Sequence, residues 1–529
     1  MSTKSSNHRL AVLLILAATA NFAHAGSWWD DEETSEPAIQ LVSGVRSDRA
    51  AYLTDIADDP PEDDELDEYL TGIDDEKGGK SKGKGTEKAN KDDKKPKSVE
   101  DRLKDLSEEN KKLTKKLDDQ VKAFKEFKDA KPKPKYPTAE LHGFVNLSTG
   151  WFNQDQDNIA AVGNLRDGSS FRRARLAASG NILENMKYVV QMDFGGIGRP
   201  TFTDVWTEFN KVPLFGNVRV GHWKQPFSLE VVSPSKFTTF SERSLLFQAF
   251  TPQRHIALGM QDNAENELST WAASIYRSGQ DQYGGSITDK GGYAGVGRYT
   301  FLPYWDEESK GERYVHLGGA YNYVSPNNSL VQFRTLPSFF VGSQASLPAP
   351  GSTGTSGQGL PGPLNGTPFF ADTKAFGMNH YHLVGTEALW VEGPFSVQAE
   401  GMILAGTRTG GGHIYFPGVY AQAGYFLTGE HRPYNRKSGT IDRIKVKNPI
   451  GGGEKEGYGS GAWELATRWD YIDLNSGGVQ GGQQEDITIG INWFFNDYTK
   501  LQANYIRANL SRNVASVANL YTLQLQWEF

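Results

Sequence analysis

The sequence predicts an all-β fold: a transmembrane antiparallel β-barrel of about 16 strands, preceded by an N-terminal α-helical coiled coil. Three observations predict the barrel. Residues 1–25 read as an export leader. From residue 139 onward, apolar and polar residues alternate with period two over long segments. The final strand alternates as Tyr521, Leu523, Leu525, Trp527 and ends on Phe529.

The leader has Lys4 and Arg9 as its charged part, LAVLLILAATA as its apolar run, and Ala23-His24-Ala25 as its cleavage site. No later run reaches the roughly 18 apolar residues that a helical span needs. Hydrophobic content of 37% and a mean hydropathy of −0.55 agree with that. A chain of this kind that spans a membrane does so as a closed barrel, because lipid tolerates no unpaired backbone. Aromatic content of 12% and 58 glycines suit many short strands and turns. The absence of cysteine excludes disulfides and thiolate metal sites. A net charge of −8 argues against nucleic acid as a partner.

Residues 26–98 read as a disordered segment, first acidic and then Lys-rich. Arg46 and Arg49 are the only basic residues between 26 and 76, and bulky apolar residues are few. Residues 77–98 are a solvated Lys/Gly/Asn spacer. GGKSKGKG at 78–85 imitates a phosphate-cradling loop, but Gly85 stands where a Ser or Thr would have to hold magnesium. Over 99–130, Val99, Leu103, Leu106, Asn110, Leu113, Leu117, Gln120, Phe124 and Phe127 alternate spacings of four and three. That is a heptad seam with two polar core positions, and it predicts a homo-oligomeric coiled coil. Lys131 to Lys135, alternating Lys and Pro, end it as a stiff hinge.

Residues 139–529 form the barrel region. Leu141, Val145, Leu147 and Trp151 share one face of the first segment, and His142, Asn146 and Ser148 share the other. Met186 to Phe194 and Asp486 to Phe495 repeat the pattern. Apolar residues outward, polar residues inward and aromatics near the ends mark barrel strands. Gly393-Pro394 and Asn496-Asp497 are short turns, whereas 326–373 reads as a long surface loop of the opposite end. The stretch after Val220 breaks alternation with Pro226, Pro234 and many hydroxyls, as a loop folded against a wall would.

Arginine and lysine recur through 171–260. With Ala174, Leu176 and Ala178 facing lipid, parity turns Arg173 and Arg175 into the lumen, and Arg172 falls at the loop end of its strand. Lys236, Arg243 and Arg254 are further basic candidates. Oxyanions suit such groups, because the arginine fork makes paired, charge-assisted bonds and lysine adds a mobile charge.

RRARL at 172–176, G-x-x-K-x-P-F-S-L-E at 221–230 and F-x-E-R-S at 240–244 resemble the phosphate-selective porin O and P family. VYAQAGYFLTGEHRPYN, GAWELATRWDYIDL and GINWFFNDYTKLQANY extend the resemblance to the C-terminus. Gln225 stands where the family usually has Glu, and Ser241 where Met is common. The resemblance implies a trimeric 16-stranded barrel in the bacterial outer membrane. It implies a constriction in which Lys224 and Ser228 join Arg172 and Arg173, and it implies recognition of Phe529 by the barrel-assembly machinery. The expected function is passive diffusion of small anions, phosphate or polyphosphate-like oxyanions, with no catalysis, cofactor or metal. The N-terminal segment is expected in the periplasm. A general-diffusion pore and an outer membrane-to-cell-wall tether through the coiled coil are the alternatives.

Overall fold

The computed structural model describes residues 98–129, 135–195, 200–279, 285–286, 288–342, 367–451 and 458–529. The leader, nearly all of the 26–98 segment and most of the Lys-Pro hinge lie outside these residues.

Helix α1 spans Val99–Asp129. Ser98 caps it, its Oγ accepting from the Asp101 amide at 3.2 Å, and Glu100 and Asp101 place negative charge at the positive end of the helix dipole. Leu103, Leu106, Leu113 and Leu117 are all exposed along one side.

Sixteen strands close the barrel. They are β1 Glu140–Gln154, β2 Gly168–Leu183, β3 Met186–Asp193, β4 Thr201–Val212, β5 Gly216–Lys224, β6 Arg254–Asn263, β7 Ser269–Arg277 and β8 Tyr293–Trp305. The second half is β9 Arg313–Ser325, β10 Phe376–Glu392, β11 Phe395–Arg408, β12 His413–Phe426, β13 Ala462–Ser476, β14 Val479–Asn496, β15 Thr499–Arg512 and β16 Val514–Glu528. Each strand pairs antiparallel with the next, and β16 pairs with β1, so the sheet has no free edge. At the seam, Gly143 and Phe529 exchange backbone hydrogen bonds at 2.9 and 3.1 Å. A Cβ on Gly143 would lie 2.4 Å from the Arg175 carbonyl oxygen, so only glycine fits there.

The alternation reads true in the burial. Asn146, Ser148, Asp486, Thr488 and Asn492 are buried inward, while Leu141, Leu147, Trp151, Ile487 and Ile489 are exposed outward. The outer face is the apolar belt a barrel shows to lipid.

Among the described residues, parts of three long links pack inside the barrel. Residues 225–253 between β5 and β6 carry two short helices, α2 Leu229–Val232 and α3 Leu245–Ala249, and bury Phe227, Leu229, Val231, Phe240, Leu245 and Leu246. This is the inward-folded loop expected after Val220. The link between β9 and β10 differs from the expected surface loop. Phe333, Leu336, Phe339 and Phe370 in it are fully buried, Ser338 Oγ donates to Asp486 at 2.6 Å, and Phe339 packs over Gly150. The aromatic residues of the loop have a hydrophobic reason to leave water, and the polar inner wall satisfies its backbone.

The third segment, 427–461, is a long link on the short-turn end, where only tight turns were expected. It enters the lumen through a hairpin pairing Tyr434–Asn435 with Thr440–Ile441. Gly439 at its tip has φ 64°, and a side chain there would meet Thr270 and Thr300 at under 3 Å. Tyr434 packs against Tyr314 at 5.3 Å between ring centres, and the Ile441 amide donates to Ser233 Oγ at 3.1 Å. The two inward-folded loops therefore meet inside the barrel.

Candidate functional site: a cation-lined cavity in the lumen

The space left between the 225–253 loop and the inner wall of β1–β8 is a cavity of about 400 Å³. Arg175, Arg219, Lys224, Lys236, Arg254 and Arg298 line it, and Asp204 is the one carboxylate among the described lining residues. Trp206, Trp223, Pro226 and the hairpin residues Ser438 and Thr440 complete the wall.

Four of the six cations are oriented from behind. Arg175 Nε donates to Asp193 at 2.7 Å, Arg219 Nη2 to Glu208 at 2.6 Å, and Arg298 Nη2 to Glu387 at 2.6 Å. Lys236 Nζ lies 2.8 Å from Glu528 on the last strand. None of these four carboxylates lines the cavity, so the cations stand between them and the open space. Arg254 makes a two-pronged pair with Asp204, at 3.2 and 2.8 Å, across a bulge in β4 that turns both Thr203 and Asp204 inward. Lys224 is held differently. Its Nζ donates to the carbonyls of Val231 and Ser233 at 2.7 and 2.8 Å, which uses two of an ammonium's three donors.

The eight basic and hydroxyl candidates do not form one cluster. Arg175, Lys224, Lys236 and Arg254 line the cavity. Arg172 and Arg173 both bind Glu242 of the inward loop: Arg172 through Nε and, at 3.0 Å, Nη2, and Arg173 through Nη2 at 3.5 Å. Arg172 lies inside β2 rather than at its loop end. Asn146 pairs with Arg173 and Leu147 with Phe171, so Arg172 is the extra residue of a bulge and shares the inner face with Arg173. Ser228 is buried at the start of α2, where its Oγ accepts from the Val231 amide at 3.3 Å. Arg243 is buried too, donating to the Glu230 and Ser233 carbonyls at 2.8 and 2.9 Å. Both shape the loop rather than the cavity wall.

Gln225 shows what an amide does at that position. It is fully buried, donating to the Trp223 and His255 carbonyls at 2.9 and 3.2 Å and accepting from Ser274 Oγ at 2.6 Å. A carboxylate could not donate those two bonds. Arg219 and Arg298 were missed as candidates, although Val218 and Val220 flanking Arg219, and Tyr299 and Phe301 following Arg298, set the parity that turns both inward. Arg219 also stacks on Trp206, 3.9 Å from the ring centre.

Residues 145–529 match the family model described as phosphate-selective porin O and P. Porin O of Pseudomonas aeruginosa is 25% identical over 371 residues, which covers 66% of this chain and 78% of that protein. Among solved structures, an anion-selective porin from Comamonas acidovorans covers 74% of this chain and 99% of its own, with 12% identity and a TM-score of 0.44. OmpT of Vibrio cholerae in a trimer form has the same coverage and TM-score at 10% identity. The family match runs through the loop-and-arginine cassette, the inward hairpin and the closing strands. On that match the chain belongs to the phosphate-selective porin O and P family, a channel of the bacterial outer membrane and not an enzyme.

Proposed function

We propose that this barrel passes small anions by passive diffusion, with phosphate and similar oxyanions as the preferred class. The observation that carries the reading is the cavity wall: six cations and one carboxylate among its described lining residues, in a chain whose net charge is −8. Overall charge would favour cations, so local placement supplies the selectivity. An oxyanion in the cavity meets the guanidinium of Arg175 and the remaining donor of Lys224, with the charges of the other lining cations around it. No single group encloses it, so it can leave as readily as it arrives, which conduction requires. Arg175, Arg219, Lys236 and Arg298 are already neutralised in part by the carboxylates behind them, and Arg254 by Asp204, and that too keeps binding weak.

The test is titration of phosphate into chloride solution during planar-bilayer recording. Phosphate is expected to block the chloride current at millimolar concentration or below, because both anions compete for one wall. A current indifferent to phosphate would leave a general-diffusion pore and remove the phosphate preference.

A second reading concerns the N-terminal part. The exposed leucine stripe of α1 supports self-association through a coiled coil, with the family pointing to three copies of the chain. With Phe529 as the assembly signal and the N-terminal segment in the periplasm, such a rod would act as a tether toward the cell wall. Sedimentation of the full protein against a Leu106→Asp, Leu113→Asp variant tests the association, and pull-down with purified cell wall tests the tether.

A further inference from the structure

Glu242 is the residue whose placement the anion-pore reading leaves unexplained. It lies on the inward loop, buried; its two oxygens take Arg172 in the side-on geometry that arginine offers to an oxyanion, and one of them also accepts from Arg173 Nη2 at 3.5 Å. The ring of Phe340 packs on Arg172, 4.3 Å from the guanidinium carbon to the ring centre. Arg172 retains 19% of its side-chain exposure, and Arg175, two residues on from Arg173, already lines the cavity. Glu242 therefore sits where an incoming anion would sit.

We propose that Glu242 is a tethered competitor for the Arg172–Arg173 pair and sets how tightly the pore holds phosphate. The inference rests on the anion-pore reading and deepens it. Two adjacent guanidinium groups with no resident anion would capture a dianion firmly and slow its exit. With Glu242 attached to the loop, an incoming oxyanion has to share the pair or displace the carboxylate, so its residence is shortened. A pore needs sites that bind and release, and a built-in competitor is a direct way to reach that compromise. The Glu242 backbone supports the arrangement: its carbonyl accepts from buried Arg468 at 2.9 Å, which fixes the loop against β13. Burial raises the Glu242 carboxyl, but Arg172 and Arg173 beside it outweigh that and hold it below the ordinary range, so the competitor is charged at neutral pH.

The experiment measures phosphate block of chloride current in the full-length protein. Glu242→Gln is expected to lower the half-blocking phosphate concentration about tenfold. Glu242→Asp, one methylene shorter but still charged, is expected to lower it about threefold. Adding Arg172→Ala to Glu242→Gln is expected to return the value to that of the wild type. A loop that had merely loosened would instead raise conductance for both ion signs, with or without Arg172. If wild type blocks but neither Glu242 variant shifts the concentration, or the shift survives Arg172→Ala, the competitor role is overturned and the anion pore stands. If wild type shows no phosphate block at all, the reading beneath it falls and takes this inference with it.

Discussion

The two sides of the barrel wall carry the same inward-polar alternation, yet they end in opposite environments. On β2–β8 the inward cations face a cavity. On β10–β14 the inward groups include five carboxylates, Glu387, Glu400, Glu464, Asp470 and Asp486, all of them buried, with buried Arg468 set among them. The 225–253 loop covers much of this second wall. The Glu230 amide donates to Glu400 at 2.8 Å, the Leu245 amide to Asp470 at 3.4 Å, and Asn492 and Gln502 donate to the Thr239 carbonyl at 2.7 and 2.9 Å. Arg432, just before the 434–441 hairpin, takes Glu464, and Ser338 of the link after β9 takes Asp486. A lumen with acidic residues on its wall is thus left with a cavity that is locally cationic. The loops do more than narrow the pore; they choose which charges the ion meets.

Removing the cover is the strongest way to break this comparison. Replacing residues 226–252 with a short Gly/Ser link should expose the acidic wall, and reversal potentials in a KCl gradient should then move to zero or to the cation side. Next comes Arg468→Ala. Arg468 is 1% exposed, pairs with Asp470 at 2.6 Å and faces Glu230 at 3.8 Å. Its loss leaves two buried carboxylates without their cation and should cost about 3–5 kcal/mol, read as a lower urea midpoint in vesicles.

Lys224→Ala sharpens the cationic side. Losing one charge-assisted hydrogen bond, worth about 1.5 kcal/mol, should raise the half-blocking phosphate concentration about tenfold. Lys224→Arg should recover most of it. The smallest effect is acid-dependent. Glu242 has a lowered carboxyl when folded, so the stability its clamp contributes is complete above the ordinary carboxylate value of about 4.3. It disappears as pH falls through the lowered value. The stability difference between wild type and Glu242→Gln should therefore hold from neutral pH to about pH 5 and vanish in stronger acid.

Much of the barrel was legible because a strand writes its two faces into alternate residues. Arg173 and Arg175 could be turned inward from Ala174 and Leu176 alone, and the same rule applied to Arg219 and Arg298 would have found them. Arg172 was not legible, because a bulge adds one residue and resets parity in a way no spacing reveals. The buried loops were legible only in part. Pro226 and Pro234 announce that alternation stops, but whether a non-alternating segment goes outward or into the lumen depends on partners far along the chain. Tyr434 and Ile441 in the hairpin find Tyr314 and Ser233, and Phe339 in the long loop finds Gly150. The pairing of Glu242 with Arg172 and Arg173 joins residues about 70 positions apart and leaves no local trace.

The most direct test of the central claim is the zero-current potential of wild-type channels across a KCl gradient. A cavity lined by cations and screened from the acidic wall predicts a value close to the chloride equilibrium potential. A value near the potassium equilibrium potential would mean that the acidic wall governs the pore, and it would contradict the account.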